Sequence, residues 1–295
     1  AVGGGAIRHL GTNLYITDSS FIDNSSNYGG AIVLKNNLTL SGDNYFINNK
    51  SISMGGAICG LMHHVSKPYL NIYGITEFSG NSSGFTSGGA IFSYHDLTIS
   101  GGTVKFIHNK AAGGGGAIYA TDQFNIMDTS IIFNSNYTEA GGAGGGAIMT
   151  GGLKITGGTS TFIDNSSVKL GGAIYTLTGS VTISGGTLDF SGNRAIGGAG
   201  GAIYSMNEIT ISGETESTFT NNQAGGNGGA LFALKGSIIL DGSFSFVDNS
   251  GMVGGAMKTD TSGITLLTGP YEFNGNRATD GPGGAIFSQN EITIS

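Results

Sequence analysis

Three sets of residues in this chain of 295 could do chemistry. Asp23, Asp164 and Asp248 each stand just before the Asn of a Phe-x-x-Asn tetrapeptide. Carboxylates held a few ångströms apart are what a polysaccharide-cleaving enzyme needs. Glu77 and Lys105 both precede the Phe of that tetrapeptide and could form an acid–base pair. Cys59, His63 and His64 fall in an irregular stretch, about 59–69, and thiolate and imidazole are metal ligands. Whether any of these groups meets another depends on the elements that carry them.

Those elements are repeats. Gly-Gly-Ala followed by Ile, Leu or Met occurs eleven times, as in Gly29-Gly30-Ala31-Ile32, Gly115-Gly116-Ala117-Ile118 and Gly171-Gly172-Ala173-Ile174, with a mean spacing of about 28 residues. Phe-x-x-Asn alternates with it ten times, pairing Phe21 with Asn24, Phe46 with Asn49, Phe106 with Asn109, Phe162 with Asn165 and Phe190 with Asn193. Midway lies a strand-like segment such as Leu97-Thr98-Ile99-Ser100. Each repeat thus holds three short runs of alternating apolar and polar residues, separated by Gly, Ser and Asn. No segment carries a helical period. The pattern predicts an all-β, right-handed parallel β-helix of about ten coils, with three strands per coil and roughly 48 Å long at the ~4.8 Å strand spacing. Residues 1–295 read as one array, expected to be a fragment of a longer molecule because no atypical capping repeat is visible.

Within such a coil the Phe residues should stack in an interior ladder. The Asn three positions on should turn the chain, its amide bonded to backbone or to the next Asn. The two glycines should let a corner turn tightly beside a small Ala. These assignments account for much of the composition: Gly supplies 56 residues, while charged residues make up 11%. Collagen is excluded by only 3 Pro, and a disulfide scaffold by 1 Cys. A net charge of −7 without a run of Lys or Arg argues against a nucleic-acid partner. No apolar run is long enough to span a membrane, and no signal peptide opens the chain, so membrane attachment is expected only through other segments.

The tandem Gly-Gly-Ala-Ile and Phe-x-x-Asn motifs resemble the passenger repeats of the chlamydial polymorphic membrane proteins. The resemblance spans the array from Gly4 onwards. It implies an autotransporter-type β-helix displayed on the outer membrane as an adhesin, with the two motifs associated with adhesion.

Placed in register, the chemical groups disperse. Asp23, Asp164 and Asp248 share a column but lie in coils at least three apart, roughly 15 Å. Asp96, Glu208 and Glu291 share another and are likewise non-adjacent. Glu77 and Lys105 are neighbours, but a lone exposed ion pair is ordinary surface chemistry. His63 and His64, on one strand, would point to opposite sides, so the 59–69 excursion reads as a surface insertion or a binding loop and no metal or cofactor is expected. The sequence therefore predicts a non-enzymatic protein.

Two outward stripes remain. The residue after the Ile of the first motif gives a column containing Phe92, Tyr119, Tyr175, Tyr204, Phe232 and Phe287, with Arg8 and Lys258 in line. The two cations place this column outside, and its rings are expected to form an exposed ridge that binds a partner. The second stripe is Thr-x-Ser, as in Thr98 and Ser100; such hydroxyl arrays suit ice binding, but Lys154, Ile239 and Asp241 interrupt it. The sequons at Asn24, Asn37, Asn49, Asn81, Asn136 and Asn165 mostly coincide with the motif Asn. The favoured reading is an extracellular, surface-displayed or secreted adhesin or interaction stalk that meets a receptor or glycan on a host or neighbouring cell. The alternative is a filament or sheath component that self-associates end to end.

Overall fold

The computed structural model describes residues 3–60, 69–139, 141–213 and 217–295. These residues form strands and turns with no helix among them. Strands one repeat apart pair in parallel and in register: Ile32 lies beside Ile58, Leu97 beside Phe124, and Phe106 beside Phe133. The chain is a parallel β-solenoid of about ten turns, with strands stacked about 28 residues apart.

One representative coil shows why the sequence folds this way. A three-residue strand, Ile91–Ser93, follows the Gly-Gly-Ala corner. A second strand, Leu97–Ser100, turns Leu97 and Ile99 inward and leaves Thr98 and Ser100 partly exposed. The third, Thr103–Ile107, carries Val104 and Phe106 inward. The structure adds a fourth strand to the three expected, here Lys110–Ala111, just after the motif Asn. Its counterparts in successive coils form a separate ten-stranded sheet. The sequence hides this strand because it is only two residues long in most coils, too short for alternation to register.

The interior is one continuous cluster of the inward Ile, Leu, Val, Phe and Ala side chains of successive coils. No coil could bury these faces alone, so each coil is stabilised chiefly by the coils on either side.

Candidate functional site

The two motifs occupy the interior. Adjacent motif Phe rings, from Phe21–Phe46 to Phe246–Phe273, stack with centroids 4.5–5.3 Å apart and interplanar angles of 1–11°. Eight of the ten rings are fully buried; Phe21 and Phe273, towards the ends, are partly exposed.

The motif Asn residues form a second ladder, and it is completely satisfied. Asn165 Nδ2 donates to Asn193 Oδ1 (3.0 Å) in the next coil and to the Phe133 carbonyl (3.0 Å) in the previous one. Asn165 Oδ1 in turn accepts from the backbone N–H (3.1 Å) and Nδ2 (3.0 Å) of Asn136. Both donors and both lone pairs are thus engaged. The pattern recurs in neighbouring coils, as at Asn81, Asn109 and Asn222. Asn49, Asn81, Asn136 and Asn165 have no exposed surface, so these sequons present no acceptor amide once the coil has closed.

The residue before each motif Asn explains the column of acids. Asp23, Asn48, His108, Ser135, Asp164, Asn221 and Asp248 have φ between 52° and 55°, and Gly80, Gly192 and Gly275 share the left-handed conformation. Asn, Asp and Gly tolerate that region best. The side chain there leans along the stack: a Cβ at Gly192 would lie 2.1 Å from Asp164 Oδ1, and one at Gly275 2.0 Å from Asp248 Oδ1. Asp164 and Asp248 therefore sit where the next coil supplies Gly. They recur for conformational reasons, in non-adjacent coils.

The Gly-Gly-Ala corner is equally constrained. Gly171 has φ +59°, and a Cβ on Gly172 would lie 1.9 Å from the Gly201 carbonyl oxygen of the next coil. Ala173 and Ile174 are fully buried, as are Ala31, Ile32, Ala117 and Ile118.

The remaining candidates separate further. Lys105 and Glu77 are register partners in adjacent strands, yet no ion pair within 4 Å joins them. Glu208 accepts a hydrogen bond from Thr210 (2.7 Å), and Asp96 accepts one from the backbone of Gln123 (3.0 Å). No group of three His, Cys, Asp or Glu could hold a metal ion among the described residues. His63 and His64 lie outside the described residues. Cys59 is fully buried, and burial pushes its thiol up to about 12, so it stays protonated and a poor nucleophile or ligand.

The aromatic ridge is corrected by the structure. Its column does face away from the Phe core, but most of it is covered. Val33, Cys59 and Phe92 are buried beneath Tyr28, Met54 and Tyr94, and Tyr204 and Phe232 pack with Leu170, Met206 and Leu234. Tyr119, Tyr175 and Phe287 are half-buried. Lys258 is only 6% exposed; it lies between the rings of Phe232 and Phe287, 5.3 and 5.8 Å from their centroids, and pairs with Asp260. A cation stacked on aromatic faces imitates another ring in the column, so its charge did not mark an exposed face. Burial also pushes the Tyr204 hydroxyl up to about 12. This column is a second, outer packing layer.

Other columns meet solvent. Tyr73 (61% exposed) and Met127 (45%) rise from the hydroxyl stripe that contains Ser41 and Ser100, so that stripe is not flat. Phe85 stands 77% exposed just after the short strand Ser82–Ser83. Along the ten-stranded sheet, the residue just after each motif Asn is exposed or half-buried in every coil but that of the buried Ser82, and that column holds Lys50, Lys110, Arg194 and Arg277. The sequence reading missed this set because it sought runs of cations along the chain. The signal was there in the recurring position.

The family model of the Chlamydia polymorphic membrane protein repeat matches residues 45–61, 103–121, 159–177, 187–206 and 216–234. Every matched segment runs from the Phe strand through the Asn to the Gly-Gly-Ala corner. Five segments of the chain are thus similar to the polymorphic membrane protein repeat. It is 35% identical over 153 residues to the "Probable outer membrane protein pmp7" of Chlamydia pneumoniae, a match covering 47% of this chain and 16% of that relative. It is 32% identical over 178 residues to the "Probable outer membrane protein pmp21" of the same organism, covering 54% of this chain and 11% of that relative. The array spans a small part of each. No solved structure matches the chain. What the repeat requires is now physical: a ring to stack, an amide to link coils, and corners without side chains.

Proposed function

We propose that this repeat array is the display rod of an outer-membrane surface protein and works by contact, as an adhesin, rather than by catalysis. The observation that carries this reading is the division of labour in each coil. The recurring motif side chains are turned inward, while outward positions vary from coil to coil. Such a rod presents a long, variable surface on an invariant frame. The surface location is supported by the printed names of the two relatives, both outer membrane proteins. A contact role is further supported by the acids and bases, which are dispersed among coils or held in turns. The motifs associated with adhesion in the family would then act through the fold they build.

The test is attachment of the purified, labelled array to cultured cells. Saturable attachment that unlabelled folded array displaces, and that heat-unfolded array does not, is the expected result. Attachment that never saturates, or that survives unfolding unchanged, would contradict the reading.

A further inference from the structure

The column after the motif Asn holds four of the chain's twelve Lys and Arg in only ten positions, and no acid. Its other members are Ser, Gln223 and Tyr137, all able to donate hydrogen bonds. In-register pairing makes it a straight line one residue wide. From Lys50 to Arg277 the line runs eight coils, ~38 Å at the ~4.8 Å strand spacing. Lys110 is paired with Glu139 at 2.9 Å. Lys50, Arg194 and Arg277 are exposed, and their side chains have no hydrogen bond or ion pair among the described residues. Ile52 and Ile196, about half-exposed, stand two positions further along the same turns as Lys50 and Arg194 and add an apolar flank. On the other flank Asp23, Asp164 and Asp248 stand one coil before Lys50, Arg194 and Arg277. Asp164 and Asp248 lean along the stack towards Gly192 and Gly275, and none of the three lies within 4 Å of a spine cation.

We propose that this basic spine binds a linear acidic polysaccharide laid along the rod axis, an inference that rests on the contact reading above. Charge complementarity selects an anion, and the line selects its shape. The cations are two, three and three coils apart, roughly 10–15 Å. A polysaccharide with one acid group per disaccharide carries its charges at comparably wide intervals. Duplex nucleic acid carries a charge about every 1.7 Å, most of which this spine would leave unneutralised. A membrane would favour a broad cationic face over a single line. Between the cations, the Ser, Gln and Tyr groups can hydrogen-bond sugar hydroxyls, and the Ile side chains can pack against C–H faces of the rings.

The test compares the array with two triple variants, Lys50→Gln/Arg194→Gln/Arg277→Gln on the spine and Lys35→Gln/Lys154→Gln/Lys235→Gln elsewhere. Both remove the same charge, and thermal melting checks that each still folds. The probes are hyaluronan, which carries carboxylates alone, chondroitin sulfate, which adds sulfates, and neutral dextran. We expect salt-sensitive binding of one or both acidic polymers, none of dextran, a loss of about tenfold or more in the spine variant and less than about twofold in the other. The choice between the two polymers identifies the anionic group. Equal losses in both variants, no binding of either polymer, or tighter binding to phosphatidylserine vesicles or a DNA duplex would overturn the proposal. Cell attachment is measured in parallel. If the spine variant attaches as well as the parent, the polysaccharide inference falls while the adhesin reading stands; if the parent does not attach, the adhesin reading falls.

Discussion

Asn165→Asp is expected to destabilise the rod severely at pH 7 and noticeably less at pH 4. The change preserves shape and replaces one NH2 by an oxygen. That group donates to the Phe133 carbonyl and to Asn193 Oδ1, each at 3.0 Å, in a site without exposed surface. A carboxylate would therefore set one bare oxygen against two acceptors and bury a charge that has no counterion. Each orphaned buried partner costs roughly 1–3 kcal/mol, and the desolvated charge adds to that, so a total of about 4–6 kcal/mol is reasonable against a domain stability of about 5–15. The folded state would hold the introduced carboxyl well above its ordinary range. Its charge penalty is therefore absent below the unfolded value and grows as pH rises. Recovery in acid is partial, because a protonated carboxyl donates one hydrogen bond where the amide donated two. Urea melts of parent and variant at both pH values check this. A variant whose deficit is the same at pH 4 and pH 7 would show that the ladder is not as closed as described.

The corner gives the second large effect. Gly172→Ala should disrupt the stack more than most single methyl additions. The new Cβ would lie 1.9 Å from the Gly201 carbonyl oxygen and 2.4 Å from the Arg194 amide nitrogen, both backbone atoms of the next coil. Those atoms cannot step aside without breaking neighbouring bonds such as Gly172 N–H to the Gly200 carbonyl (3.0 Å) and Ala173 N–H to the Ala202 carbonyl (3.0 Å). A loss above about 4 kcal/mol, or a melt split into two transitions, is expected. The control is Gly141→Ala, where an added Cβ meets nothing within 4 Å. That change should stay within about 0.5 kcal/mol. Equal melting of the two variants would remove the steric account of the Gly-Gly pair.

Much of this frame is legible in the letters because a solenoid writes its contacts as periodicity. The spacing of Phe46, Phe78 and Phe106 places rings in one column, and parallel in-register pairing converts that column into a stack. Asn at a fixed offset from Phe similarly implies a ladder. What periodicity cannot report is cover. Tyr204 and Phe232 sit on the outward side of their strands, and only the packing of Leu170, Met206 and Leu234 around them makes that side an interior. These covering residues hold two fixed offsets, directly before the Gly-Gly pair (Tyr28, Met54, Leu170) and two positions after the covered ring (Tyr94, Met206, Leu234). Other coils place Ser, Asn, Thr or Gly there, so residue type gives no steady repeat signal. Lys258 misled for a related reason, since a buried ammonium between two rings looks in the sequence like a solvent-facing charge. The left-handed position is written in the sequence as a choice among Asp, Asn, Gly, Ser and His, although its three acids, Asp23, Asp164 and Asp248, also resemble candidate chemistry. The basic spine was overlooked because Lys50, Arg194 and Arg277 are distant in sequence and meet only as a line on the stack.

A linear peptide spanning Phe162–Ile174, which contains both motifs, offers the most direct test of the central claim that the motifs build the rod and outward columns make the contact. In the cell-attachment assay, unlabelled folded array should displace labelled array completely. The peptide should not compete even at a large molar excess, because the side chains it offers are those the fold hides. Displacement by the peptide at concentrations comparable to the folded array would show that the motif residues themselves are the binding groups.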